Sequence, residues 1–353
     1  MDFKPFYDDW IIIDPIFIPS NISLRKYDYV NVNLSYDFFS QLTFTEDSLK
    51  TYRINAALEA SKILGEKPAL CISGGIDSQA MLHCWLEADI KFDVFVLVFK
   101  NNLNSMDVEQ ARLVCRNLGI ELKEIEIDII KFLNYYNYDY AVQYQSCSPH
   151  FNTHYKLFNI LKNMGYTGVC CGGDAPIYNP LEDIWGSNYN KNTQNFVQYS
   201  RVSRFPCIGN FLGNYPKLAW SISLQTKPVV PNHNQGMNTL HNNILTEQND
   251  YVVRTSIKDL EEQRYLYKCD GYNKTGIKII PQTQKFSGFE LVKKHLEEVT
   301  GDGWAFEKRY RRPLENLLNV TTSTPVFVFD ANVEKLIKTI LLNNIGDQFI
   351  TIT

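Results

Sequence analysis

The stretch Lys67-Pro68-Ala69-Leu70-Cys71-Ile72-Ser73-Gly74-Gly75-Ile76-Asp77-Ser78 decides the fold. Pro68 to Ile72 is an uncharged apolar run of the length of one buried strand, and a glycine turn follows it directly. Beyond the turn, Ala80, Met81, Cys84, Trp85 and Ala88 recur at three- and four-residue spacing, which predicts a helix from Ser78 to Glu87 with one apolar face. The chain here reads as strand, glycine corner, helix start. Two adjacent glycines admit backbone conformations closed to other residues and leave no side chain in the way, so successive N–H groups can turn toward one anion. The helix start adds unpaired N–H groups and the positive end of its dipole. Ser73 and Ser78 supply hydroxyl donors. Asp77, at the mouth of an anion site, makes chemical sense with a divalent cation between it and a phosphate. The same residues admit a plainer reading, a serine–glycine turn in which Asp77 caps a helix.

Working outward, Thr45 to Gly65 has the spacing of a helix, with Thr45 or Asp47 as N-cap and Leu49, Tyr52, Ala56, Leu58 and Ile63 on one face. Phe92 to Phe99 is a second buried strand, Asn101 to Ser105 a polar loop, and Asp107 to Leu118 a helix stopped by Gly119. Leu122 to Ile127 gives a third strand. Strand, helix, strand, helix, strand predicts a parallel sheet with right-handed crossovers. Tyr135 to Pro149 lacks a clean period and reads as a loop, and His154 to Met164 as a helix. Thr167 to Cys171 is a short strand running into Gly172-Gly173-Asp174-Ala175, a second glycine corner with an acid. In a doubly wound sheet two such corners can face one ligand across the carboxyl ends of the strands.

These corners resemble those of the N-type ATP pyrophosphatases, the superfamily that includes asparagine synthetase, NAD and GMP synthetases and several tRNA-modifying enzymes. Ser73-Gly74-Gly75-Ile76-Asp77-Ser78 looks like its pyrophosphate loop; no Gly-Lys-Ser/Thr follows, as a Walker loop would require. The resemblance implies a parallel doubly wound α/β sheet of about five strands with helices on both faces, adenine nucleotide alpha hydrolase-like. It implies ATP and Mg2+ as cofactors. Ser73, Gly74, Gly75, Ile76, Asp77 and Ser78 would hold the triphosphate, the end of the second strand at Phe99 would receive the adenosine, and Gly172, Gly173 and Asp174 would close the site, with Asp77 and Asp174 as metal ligands. Asp107 and Ala111 match the family's following helix, and equally suit a helix start and a core position. Ala175 stands where asparagine synthetases carry a Glu. Their glutaminase domain, which begins with cysteine after the initiator methionine, has no counterpart, since residue 2 is Asp2. Ammonia or an amine would therefore come from elsewhere.

Residues 1–44 read as a β-rich preface, 45–180 as the ATP-binding core, and 181–353 as a mainly helical region completing the substrate site. Asn179 to Thr193 and Lys227 to Gly236 read as long loops. Trp185, Tyr189, Phe205, Phe211, Tyr215 and Trp220 suit a pocket wall or a second small core. Ser256 to Tyr267 reads as a charged helix, Gly276 to Ile280 as an edge strand, and Phe289 to Val299 as a helix. Phe306 to Pro313 is a dense basic cluster, and Arg309, Arg311, Arg312 and Lys285 are candidates to neutralise the departing pyrophosphate, a role the resemblance assigns to a C-terminal Lys or Arg. Pairing of the cluster with Glu307 and Glu315 on a solvated face is the plainer alternative. Pro325 to Phe329 and a helix from Asn332 to Leu342 would cover the core or form a homodimer contact.

Composition bounds the rest. In 353 residues, 44% are hydrophobic and 21% charged, ordinary for a globular chain. A net charge of −4 disfavours nucleic acid and anionic membrane as partners. Apolar runs fall short of the ~20 residues that span a bilayer. Eight cysteines without zinc spacing, and no signal peptide, predict a reduced cytoplasmic protein. The expected activity is an asparagine synthetase-like ligase or amidotransferase that adenylates a carboxylate or carbonyl oxygen of a small-molecule or modified-nucleotide acceptor, after which an amine or ammonia displaces AMP. The alternatives are a thiolase-type tRNA or nucleobase modifier and a nucleotide-binding protein without turnover.

Overall fold

The structure, a computed structural model, describes residues 11–12, 31–34, 36–173, 175, 177–179, 184–186, 196, 198–225, 268–281, 288–314 and 326–328. Two short strands, β1 (Ile11–Ile12) and β2 (Asn31–Leu34), and a short helix α1 (Tyr36–Ser40) precede α2 (Glu46–Leu64). Thr45 caps α2 by accepting from the Ser48 N–H, and Gly65 ends it at φ 83°. Then follow β3 (Pro68–Cys71), α3 (Ile76–Glu87), β4 (Asp93–Phe99), α4 (Ser105–Leu118) and β5 (Leu122–Ile127), the alternation expected from the sequence. α5 (Ile129–Tyr135), α6 (Asn137–Tyr144), α7 (Pro149–Asn163) and β6 (Gly168–Cys171) continue the chain.

β3, β4, β5, β6 and β9 (Cys207–Ile208) form one five-stranded sheet in the order β5-β4-β3-β6-β9, and every neighbouring pair is parallel. The chain leaves β3 toward β4 and β5 and comes back to β6 on the other side, so the switch point falls between β3 and β6. Alternate strand residues enter opposite cores, as the period of two demands. Leu70, Val94, Val96, Cys170 and Ile208 pack with α2, α3 and α4, whereas Ala69, Phe95, Val169 and Cys207 pack with α7 and with Phe196 and Tyr199. The sheet is therefore doubly wound, with helices on both faces.

Three readings of the sequence are corrected. The expected loop from Tyr135 to Pro149 is mostly α6, with Tyr135 ending α5 and Tyr136 between the two, and α7 starts at Pro149, five residues before the expected His154. Asn137 and Tyr144 fill buried positions there, so the apolar period that marks a helix is missing from the letters. The expected strand from Gly276 to Ile280 is not one. Ile277 is buried, but the Ile280 N–H and C=O bond the side-chain amide of Gln79 in place of a neighbouring strand. Phe205, Phe211, Tyr215 and Trp220 make no separate core: Phe211 in α8 (Phe211–Asn214) and Tyr215 join the core under α3, Phe205 joins the α7 side, and Trp220 in α9 (Pro216–Gln225) packs edge-on against Phe39.

A second sheet has the order β1-β2-β10-β8-β7, where β7 is Ile177–Asn179, β8 is Ile184–Gly186 and β10 is Val326–Val328. β10 pairs parallel with β2 and antiparallel with β8, so the run expected to cover the core or a dimer face is an inner strand. α10 (Gly288–Thr300) and a helical turn over Glu307–Arg311 pack Phe289, Phe306 and Tyr310 onto Phe99 and Ile127, the last residues of β4 and β5. The expected helices Ser256–Tyr267 and Asn332–Leu342, the loop Lys227–Gly236, Lys285 and Asp174 lie outside the described residues. No described helix is long and apolar enough to cross a membrane.

Candidate active site

The two glycine corners meet. A Cβ placed on Gly172 would lie 2.7 Å from the carbonyl carbon and oxygen of Asp77 and from the Ser78 nitrogen, a distance real Cβ atoms do not reach. Only glycine lets the turn after β6 lie against the first turn of α3. Gly74, at φ 76°, does the same toward α4: a Cβ there would sit 2.5 Å from the Ala111 nitrogen. Ala111, fully buried, is thus the small residue in α4 on which the loop rests. Gly173, at φ 70°, faces Asn210, whose side chain caps α8 by accepting from the Gly213 N–H at 3.0 Å. The Gly172 carbonyl accepts from Leu212, fixing the second corner to α8.

Within the first corner, Gly75 is the N-cap of α3 and no side chain caps that end. The first-turn N–H groups of a helix have no partner inside the helix, and here they sit at the switch point where an anion is best placed. The Ser78 hydroxyl donates to the Gly75 carbonyl at 2.7 Å, holding the turn, while Ser73 is exposed. Gln79, 4% exposed, donates to the Gly74 carbonyl at 2.8 Å and to the Ile280 carbonyl at 2.9 Å and accepts from the Ile280 N–H at 2.8 Å. One amide thereby ties the glycine loop to the segment 268–281.

That segment supplies what the sequence did not reveal. Lys268 lies with its Nζ 2.7 Å from Oδ1 of Asp77 and donates to Oδ2 at 2.9 Å, and the Tyr272 hydroxyl donates to Oδ1. The side chains of Lys268 and Asp77 are 15% and 20% exposed, so the pair is largely withdrawn from water. Lys268 and Tyr272 are four apart on a helical turn, hence on one face. That spacing was the one clue available. The far end of the segment is held by Arg53, which donates to the Thr275 carbonyl and forms a two-bond pair with Glu87 at 2.6 and 2.8 Å. Burial works to raise the Glu87 carboxyl, but the Arg53 guanidinium outweighs it and the group ends below its ordinary range.

The other expected residues have these surroundings. Phe99 is buried edge-on against Phe289, and its N–H donates to Asn104 Oδ1 at 2.7 Å, so its ring is a core element. Arg309 lies over the Tyr310 ring and Arg312 over Trp304, both exposed, and Arg311 pairs with Glu307 at 3.6 Å. Ala175 is 2% exposed inside the apolar core, a place unsuited to the carboxylate that asparagine synthetases have there. Among the described residues no group of three or more His, Cys, Asp or Glu side chains is placed to hold a metal. The described carboxylate at this corner, Asp77, has both oxygens engaged by Lys268.

No protein-family model matches the sequence, and no curated protein sequence matches it. Among solved structures, a glutamine-dependent NAD+ synthetase from Acinetobacter baumannii in complex with ADP is similar over 37% of this chain and 26% of its own, at 19% identity and a TM-score of 0.29. NMN synthetase from Francisella tularensis is similar over 37% of this chain and 56% of its own, at 16% identity and a TM-score of 0.29. The U34-tRNA thiolase NcsA from Methanococcus maripaludis, with its [4Fe-4S] cluster, is similar over 86% of this chain and 90% of its own, at 13% identity and a TM-score of 0.33. The chain thus spans less than two thirds of the length of the first two.

Proposed function

We propose that the chain is an ATP pyrophosphatase-type enzyme, nearest in chemistry to the asparagine synthetases, that adenylates a carboxylate or carbonyl oxygen and lets an amine or ammonia displace AMP. The observation that carries this reading is the contact of Gly172 with the Asp77–Ser78 backbone, which puts both glycine corners and one acid at the switch point. The N–H groups of Ile76, Asp77 and Ser78 bind the triphosphate, and Gly74 and Gly75 keep that approach clear. Asp77, with Asp174 as the second candidate ligand, would hold a magnesium ion that neutralises phosphate charge. The acceptor oxygen attacks the α-phosphorus, the bond from that phosphorus to the bridging oxygen breaks, and pyrophosphate leaves. Charge then builds on the departing group, and Lys268 is the cation the structure sets beside the loop to stabilise it, with Tyr272 fixing its partner. This role, expected of Lys285, Arg309, Arg311 or Arg312, passes in this reading to Lys268.

A sulfur-transfer reading needs thiolates. The contact with Cys171 and then burial push the Cys71 thiol up, and burial pushes up those of Cys170 and Cys207, so these three are packing residues. Burial likewise pushes up Cys84 and Cys115, and Cys269 is buried, so that alternative would have to rest on the half-buried Cys147 or Cys171. The decisive experiment supplies ATP labelled in the α-phosphate, Mg2+ and a panel of carboxylate and nucleoside acceptors, and follows AMP and pyrophosphate. Acceptor-dependent release of both is expected, lost in Asp77→Asn by a factor of about 10^2 or more while circular dichroism stays unchanged. ATP hydrolysed to ADP and phosphate, or bound without turnover across the panel, would overturn the reading.

A further inference from the structure

A cleft of about 480 Å³ lies between α6, the second half of α7 and the segment at Val202 and Ser203. α7 leads into β6, so its last residues lie at the amino ends of the strands, where Tyr166 donates to Asp93, the first residue of β4, at 2.6 Å. The glycine corners follow the carboxyl ends. The cleft is therefore set toward the opposite end of the sheet from the candidate active site. Its floor is a hydrogen-bond network. The Asn159 amide donates to the hydroxyls of Tyr140 and Tyr144, both at 3.2 Å, and its Oδ1 accepts from Tyr199 at 2.8 Å. With that oxygen occupied, the groups left facing the cleft are chiefly donors. The Tyr140 hydroxyl receives from Asn159 and still has its own proton to give, and burial holds its pKa above the ordinary value. Lys156, half-buried, makes no ion pair or hydrogen bond among the described residues. Lys162 donates to the Ser203 carbonyl at 2.6 Å and keeps its other N–H groups. No Asp or Glu is among the described residues that line the cleft.

We propose that this cleft is a second ligand site that takes a sugar phosphate, with Lys156 and Lys162 supplying positive charge to the phosphate and Tyr140 a hydroxyl donor. Two ammoniums without an acid favour an anion between them, and charge-assisted hydrogen bonds to phosphate oxygens are the strong kind. The volume lies within the range of small-molecule sites and exceeds what a free phosphate needs, so the phosphate carries an organic body. Ile160 and Val202 offer that body a small apolar wall, and the exposed amides of Gln143 and Asn163 suit its hydroxyls. A nucleobase finds no open ring to stack on: Tyr144 is 2% exposed and packs against Tyr140, Tyr155 and Tyr199. Sugar hydroxyls need no such face.

The test titrates ribose 5-phosphate, ribose and inorganic phosphate into the full chain by calorimetry, and uses amide hydrogen exchange to place what binds. Ribose 5-phosphate is expected to bind and to slow exchange in residues 140–144 and 156–163, inorganic phosphate to bind more weakly at the same residues, and ribose not to bind. Lys156→Gln should weaken ribose 5-phosphate on the order of tenfold, the worth of one charge-assisted hydrogen bond, and Lys162→Gln by no more than that. Both substitutions keep a long polar side chain at a surface position and leave the glycine corners untouched. Unchanged affinity in Lys156→Gln and Lys162→Gln, with the circular dichroism of the wild type, overturns the proposal. So does slowed exchange confined to residues 73–78, which would put the phosphate at the first glycine corner. Inorganic phosphate binding as tightly as ribose 5-phosphate would overturn the assignment to a sugar phosphate.

Discussion

At the scale of single residues the site depends on what is missing from them. Gly172 touches backbone on its partner side, so nothing flexible can give way to a side chain, and Gly74 adds a positive φ to the same close approach. Gly172→Ala should cost about 1–3 kcal/mol in urea unfolding, the range of overpacking, and should weaken nucleotide binding in calorimetry by more than the stability loss alone implies. Gly119 is the control: it has φ 67° but open space around its Cβ position, so alanine there should reduce stability without touching nucleotide binding. An equal effect on binding from both would remove the case for a packed corner. The glycine pairs were legible because a turn from an apolar run into a helix leaves few other uses for them. Lys268 and Tyr272 were not, since a lysine and a tyrosine four apart are common on any helix and their partner is 191 and 195 residues away in the chain. Nor was Gln79, whose amide serves the Gly74 carbonyl nearby and the backbone of Ile280, 201 residues away in the chain.

At the scale of elements the sheet and its first helices followed from the letters because each carries a local signal: a continuous apolar strand, a Thr45 cap, a Gly65 or Gly119 stop. α6 escaped because a buried Asn137 replaces an apolar side chain there, satisfied by the amide of Asn152 in α7, which donates to Asn137 Oδ1 at 2.8 Å. The arm 268–281 escaped for a related reason, since its hydrogen bonds are made to side chains and not to a strand. Arg53 and Gln79 are the side chains that make it an element at all. Arg53→Met strips Glu87 of its partner and the Thr275 carbonyl of its donor, and should cost about 3 kcal/mol, near the lower end for breaking a buried pair, because Glu87 retains some water contact. The sign with pH follows from Glu87, whose folded-state affinity for protons is lowered. Its contribution is present above its unfolded value of 4.5 and lost as pH falls through the lower folded value. Wild-type stability should therefore drop toward Arg53→Met below pH 4.5, and unfolding curves that stay parallel through that window would rule out the pair as a source of stability. Gln79→Ala should leave the sheet intact and raise hydrogen exchange at Ile280.

For the molecule as a whole, a parallel sheet containing β3, β4, β5 and β6 was readable from alternation and the two corners, but its strand order, the strand β9 and the second sheet were not; β2 and β10, for instance, lie almost 300 positions apart, and strand pairing at that distance leaves no local mark. The two cores on either side of the parallel sheet also differ in what they bury. The α7 side holds His154 among the rings of Phe151, Phe158 and Phe196, with Nδ1 buried and no hydrogen-bond partner among the described residues. Burial lowers its pKa from 6.5 to about 4. Unfolding exposes the ring, which then takes up a proton below pH 6.5 that the native protein refuses until about pH 4. Stability is therefore lost as pH falls across that window, by ~3 kcal/mol at most, and His83, lowered by burial on the other side of the sheet, acts in the same direction. The carboxylates Glu87 and Asp93, both held below their ordinary values, lose their contributions only below 4.5 and 3.8, so above pH 4.5 the histidine effect stands alone. His154→Phe keeps a flat aromatic ring in the cluster and removes the titration. Its urea midpoint should decline less steeply from pH 6.5 to pH 4.5 than that of the wild type, the remainder coming from His83, and a decline of the same slope in both would place the acid sensitivity elsewhere in the fold.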